Sequence, residues 1–199
     1  LMDNIKETYV MQLPARRDEA ALDAWEKEVV RFWKKLEDFY GITITEEDVK
    51  KAIRLKNRER EVMLRFLELG KLNPAPISGY DLFKVLYGST FKFDRKQIPD
   101  EVNALVDKIE KEYAEGKMQE KKPRILITGC PIGGATEKII RAVEDNGGIV
   151  VTYENCSGAK SIDKLVDENN PDVYDAIARR YLNIGCSVMT PNLNRFELL

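Results

Sequence analysis

Three cysteines, Cys130, Cys156 and Cys186, and the lack of any histidine set the chemistry open to this chain of 199 residues. Without an imidazole there is no Ser-His-Asp or Cys-His nucleophile, no histidine metal ligand and no unperturbed side chain that titrates near neutrality. Thiolates remain, and they are ligands for iron–sulfur clusters and for structural zinc. The cysteines are separated by 25 and 29 residues, so they lack the compact C-x-x-C pairs that specify a metal by spacing. Ordinary burial, to which free cysteine is prone, is also compatible with that spacing.

Their position is more informative. Ile125, Leu126 and Ile127 form an apolar run that stops at Thr128-Gly129-Cys130-Pro131, the pattern of a buried parallel strand ending in a tight turn. After Gly133-Gly134, Ile139, Ile140 and Val143 recur at helical spacing; Gly147-Gly148 ends that helix and Ile149-Val150-Val151 starts a second strand. This is a right-handed βαβ crossover. Ligands of open α/β sheets lie outside the carboxyl ends of the strands, so Cys130 and Cys156 are expected on one edge. Three thiols gathered there would supply three ligands, with a fourth from a partner subunit, substrate or water. Gly129, Gly133 and Gly134 fit neither the G-x-G-x-x-G of dinucleotide sites nor a P-loop. They could still cradle an anion at a helix N-terminus, such as a phosphate, a carboxylate or a sulfide-bearing cluster; a purely structural turn is equally compatible. At such a terminus the helix dipole would favour the Cys130 thiolate. Glu154 and Arg195 are polar groups that could face the same cleft.

The elements that must position these residues read as follows. The stretch before Pro14 lacks a clear period and reads as a cut end or linker. From Asp18, a helix N-cap, Leu22, Trp25, Val29, Phe32, Leu36 and Phe39 mark one apolar face. Gly41 ends that helix, and Thr45 with Asp48 makes a variant capping box for the next, which runs to about Leu69. Its central charges, Lys56 to Glu61, read as a solvated face. Ser78 caps a short helix, and Pro99 with Asp100 and Glu101 opens another. Gly116 to Pro123 is the clearest boundary. The division is thus a mainly helical segment, residues 1–120, followed by an incomplete Rossmann-like parallel-sheet domain, residues 121–199, truncated at its C-terminus; the fold class is α/β. Downstream, Tyr174, Ile177, Ala178, Tyr181 and Leu182 form one helical stripe, Thr190-Pro191 opens a last helix, and a third strand is expected near Ser187 to Met189. A parallel sheet usually has more strands, so the rest would come from a longer chain or from a second copy.

Composition narrows the function classes. Lysine and arginine number 32 against 34 acids, a formal charge of −2, which gives no electrostatic reason to expect nucleic acid or an anionic membrane surface. No membrane span or signal peptide is visible, and an odd cysteine count is unlike a secreted disulfide framework, so the cytoplasm is the expected location.

The stretches TGCPIGGATEKIIRAVEDNGGIVVTYENCSGAK, LVDE and AIARRYLNIGCSVMTPNLNR, in that order, resemble the 2-hydroxyacyl-CoA dehydratase D-component family. They are most similar to its double-cubane-cluster reductase branch, which is related to the benzoyl-CoA reductase subunits. The pattern from Gln12 to Arg60 is similar to the helical segment that precedes these motifs in the family. The dehydratases tend to read CSCMTPN where this chain has Cys186-Ser187-Val188-Met189-Thr190, which favours the double-cubane branch. The resemblance implies an oxygen-sensitive iron–sulfur cluster held between two Rossmann-like domains, with Cys130, Cys156 and Cys186 at the matching motif positions. It further implies an anaerobic homo- or heterodimer served by an ATP-dependent iron–sulfur activator protein. The implied activity is a lyase that dehydrates a 2-hydroxyacyl-CoA through a ketyl radical, or a reductase of a small molecule, with the isolated fragment inactive. Two other readings stay open: a subunit-docking module with structural cysteines, and a zinc-stabilised fragment.

Overall fold

The computed structural model describes residues 8–131 and 133–199; the first seven residues of the expected linker, and Ile132 in the cysteine-bearing turn, lie outside them. Its helices are α1 (Glu19–Tyr40), α2 (Glu46–Glu68), α3 (Gly79–Gly88), α4 (Ile98–Ala114), α5 (Thr136–Asp145), α6 (Ala159–Ile162), α7 (Val173–Leu182) and α8 (Leu193–Leu198). Strands β1 (Arg124–Thr128) and β2 (Ile149–Glu154) flank α5. The fold class is α/β, as expected. Two compact units emerge, one comprising Leu1–Arg54 with Val166–Arg195, the other Leu55–Leu165 with Phe196–Leu199.

In the first unit α1 packs along α7. Asp18 caps α1 by accepting from the Ala21 N–H at 3.0 Å, and Gly41 closes the helix at φ +64°, the left-handed conformation that costs glycine no Cβ clash. Leu22, Trp25 and Val29 are buried as the spacing predicts, but the stripe continues through Trp33, while Phe39 is 50% exposed. A 3.6-residue period allows either course, and Trp33 wins by packing against Tyr174 of α7, ring centroids 4.6 Å apart. The Thr45 and Asp48 side chains bond each other's backbone N–H, both at 3.2 Å, forming the expected capping box at the start of α2.

In the second unit α3, α4 and α5 share one apolar core with the sheet, containing Phe66, Leu82, Val106, Ile140, Val150 and Tyr153. The parallel strands pair from Arg124↔Ile149 to Thr128↔Glu154, with an irregularity between Ile125 and Leu126. Strand β2 is buried along nearly its whole length. Strand β1 departs from the expected fully buried strand: Ile127 is enclosed, whereas Leu126 is 43% exposed. Alternate strand residues point to opposite faces, and only one face of β1 is covered among the described residues.

Two further expectations are corrected. Asn57, Glu59 and Arg60 of α2, read as a solvated face, are buried; the Arg95 guanidinium meets Glu59 at 2.5 Å and Arg60 donates to Asn57 at 3.1 Å. Pairing offsets the cost of burying such groups. The strand expected near Ser187 to Met189 does not form among the described residues. That segment is a turn, closed by the Met189 N–H donating to the Cys186 carbonyl at 3.1 Å. Among the described residues no helix is long and apolar enough to cross a membrane.

Candidate functional site

The two strands end in register, Thr128 opposite Glu154, and each runs two residues further to a cysteine. Parallel neighbours lie about 4.8 Å apart, so the register brings Cys130 and Cys156 to the same carboxyl edge, as the sequence predicts. Both thiols are exposed.

Each turn has its own local cause. Gly129 takes φ +112°, a conformation that side-chain-bearing residues rarely adopt, and so turns β1 sharply before Cys130. Beyond β2 the buried Asn155 accepts from the Ser157 N–H through its side chain and from the Gly158 N–H through its carbonyl, both at 3.0 Å. Cys156 is thereby presented at the tip of a closed turn. Gly158 then passes so close to the strand that a Cβ there would sit 2.1 Å from the Tyr153 carbonyl oxygen. That close approach seats the single turn of α6, which carries Lys160.

Lys160 ties the edge together. Its ammonium donates to the Gly129 carbonyl at 2.9 Å and lies 3.2 Å from Glu154 Oε1, with both side chains only 4% exposed. Glu154 Oε2 accepts from the Thr128 hydroxyl and, at 3.3 Å, from the Gly129 N–H. Burial opposes ionisation of Glu154, but the Thr128 hydroxyl, the Lys160 ammonium and the Gly129 N–H outweigh it and hold the carboxyl below the usual glutamate range. Glu154, which on a sequence reading could face the cleft, is engaged inside the protein. Lys160 escaped that reading; its only signal was a lysine directly after a tight turn at a strand end.

The other expected residues are placed as follows. Gly133 and Gly134 are exposed in a 3₁₀ turn, Gly133–Ala135, with Gly133 at φ +62°. The Thr136 hydroxyl donates to the Gly133 carbonyl at 2.8 Å. This turn intervenes between Cys130 and α5, which begins six residues after the cysteine. Cys186 belongs to the helical unit. It follows α7 and packs, half-buried, on the cluster of Leu22, Trp25, Ala178, Leu182 and Met189. Arg195 is half-buried in the same unit, its backbone against Gly185. Among the described residues no group of three or more cysteine, aspartate or glutamate side chains converges as a metal cage. Cys130 and Cys156 are exposed thiols on one edge, and cysteine thiols, once deprotonated, are the residue type that ligates iron–sulfur clusters.

The family model described as 2-hydroxyglutaryl-CoA dehydratase, D-component, matches residues 1–199. The putative dehydratase subunit YjiM of Escherichia coli (strain K12) is 47% identical over 199 residues, 100% of this chain and 52% of the relative. The (R)-phenyllactyl-CoA dehydratase beta subunit of Clostridium sporogenes is 28% identical over 156 residues, 78% of this chain and 40% of the relative. The chain therefore spans about half the length of the curated relatives it matches.

Proposed function

Since the chain belongs to the 2-hydroxyglutaryl-CoA dehydratase D-component family, we propose that it contributes thiolates to the iron–sulfur site of a 2-hydroxyacyl-CoA dehydratase or of a related double-cubane-cluster reductase. The observation that carries this reading is the pair of exposed thiols, Cys130 and Cys156, each two residues beyond the paired positions Thr128 and Glu154. Thiolates held on a fixed backbone are what cluster ligation requires, and two of them call for further ligands from outside these two turns.

When bound, such a cluster supplies one-electron chemistry at low potential. The residues on this chain do the holding. Gly129 and Asn155 shape the turns that present the thiols, and Glu154 with Lys160 fixes the turns to one another. The Gly133–Ala135 turn is exposed, and in this reading an acyl-CoA or another small substrate approaches from that side. In this reading an ATP-dependent iron–sulfur activator delivers electrons, the enzyme works as a homo- or heterodimer, and the setting is the cytoplasm of an anaerobic cell.

The test is iron and acid-labile sulfide per chain, with an electron paramagnetic resonance spectrum of the reduced form, on protein made without oxygen at full gene length. Stoichiometric iron and sulfide, lost in both Cys130→Ser and Cys156→Ser, supports the reading; iron unchanged in both variants overturns it. A second reading, a subunit-docking module with structural cysteines, is favoured at one position by the packing of Cys186 against Leu22 and Trp25. It predicts that Cys130→Ser, Cys156→Ser and Cys186→Ser each leave iron content unchanged.

A further inference from the structure

We propose that Arg17 is a positioning residue for the loop that carries Cys186. The loop runs from Asn183, which ends α7, to Asn194 in α8, and its two ends are joined directly: the Asn194 side-chain amide donates to Asn183 Oδ1. One guanidinium nitrogen of Arg17 spans both asparagines, donating to Asn194 Oδ1 and, at 3.3 Å, to Asn183 Oδ1. Two residues before Arg17, the Ala15 carbonyl accepts the Thr190 N–H at 2.7 Å. The segment ahead of α1 therefore grips the loop in the middle through its backbone and at both ends through one side chain.

The grip is built from groups with few alternatives. Asn194 is 3% exposed, so without Arg17 its side-chain oxygen is stranded in the interior rather than handed to water. The one guanidinium nitrogen carries two hydrogens and can donate to both oxygens at once, from a planar group that is more pre-organised than a lysine ammonium on its flexible stem. Within the loop, Met189 is buried and its N–H closes back onto the Cys186 carbonyl. Gly185 lies so near the Arg195 backbone that a Cβ would come within 3.3 Å of its Cα. Fixing the two ends thus fixes how far the Cys186 thiol is exposed. The neighbouring Arg16 has no such role: its guanidinium pairs with Asp18 at 2.8 Å on the surface.

The relevance of this clamp to a cluster rests on the function proposed above, but the clamp itself is testable without any metal. In the metal-free, reduced full chain, iodoacetamide labelling of each cysteine is followed by mass spectrometry in the native protein. Arg17→Ala is expected to raise the Cys186 rate about three- to tenfold, the range that losing one ordinary hydrogen bond gives, with Cys130 and Cys156 unchanged. Arg17→Lys is expected to fall between, and Arg16→Ala to leave all three rates alone. An unchanged Cys186 rate in Arg17→Ala overturns the proposal, as does an equal rise at all three cysteines, which would mean general loosening. If Arg17→Ala does not fold, Asn183→Ala gives the same readout from the other side of the clamp. Iron absent from the reconstituted wild type would sink the cluster reading alone, since the labelling rates do not depend on it.

Discussion

Lys160 and Glu154 form an ion pair at 3.2 Å in which both side chains are only 4% exposed. Thirty-one positions before Lys160, the Gly129 carbonyl accepts from the same ammonium at 2.9 Å. The pair is therefore the physical link between the turn before Cys130 and the turn that holds Cys156.

Breaking that link should be expensive. Lys160→Met removes the cation and leaves a buried carboxylate with neutral donors only, which costs about 3–5 kcal/mol for pairs of this kind. Urea denaturation followed by circular dichroism measures it. A loss under about 1 kcal/mol would put the pair in the class of exposed ion pairs.

Acid should weaken the wild type through the same group. Because the folded protein holds Glu154 below the ordinary glutamate value of 4.5, its contribution to stability is fully present above that value. It is lost as the pH falls through the depressed folded value. Denaturation midpoints between pH 7 and pH 3 should therefore fall more steeply for the wild type than for Glu154→Gln, and parallel curves would remove Glu154 as the cause.

Gly158→Ala tests the close approach that seats α6. The added methyl would lie 2.1 Å from the Tyr153 carbonyl oxygen and 2.7 Å from its Cβ, neither of which can yield without moving β2. Overpacking of this sort costs about 1–3 kcal/mol. The variant should also raise iodoacetamide labelling of Cys156 relative to Cys186, and a neutral effect on both stability and labelling would show that the turn has slack.

Asp18→Ala removes the side-chain acceptor of the Ala21 N–H and should cost about 1 kcal/mol. The Arg16 partner of Asp18 is 76% exposed and adds little to that figure. Asp18→Asn, which keeps a capping oxygen, should recover most of the loss in the same denaturation experiment.

How much of this was legible in the sequence follows from the range of each interaction. The caps at Asp18 and Thr45, the left-handed Gly41, the helix through Ile139, Ile140 and Val143, and the placement of Cys130 and Cys156 at two strand ends all depend on residues a few positions apart. Sequence patterns record such interactions directly. The resemblance carried by the cysteine-bearing motifs was legible for the same reason, since those motifs are contiguous.

Other features depended on what comes near in three dimensions. A helical period could not say whether α1 would bury Phe39 or Trp33; Tyr174, far along the chain, decided it. Nor could a run of charges reveal that Glu59 would be enclosed, because its partner Arg95 lies on another element. The loop that contains Ser187 to Met189, where a strand was expected, is tied to Ala15 through Thr190 and to Arg17 through Asn183 and Asn194. The sequence by itself determined the two paired strands, the main helices with their caps, and the edge to which two thiols are delivered. Only the tertiary structure decided that Glu154 would turn inward to meet Lys160, because burying a charge is tolerable only where a distant partner arrives to share it.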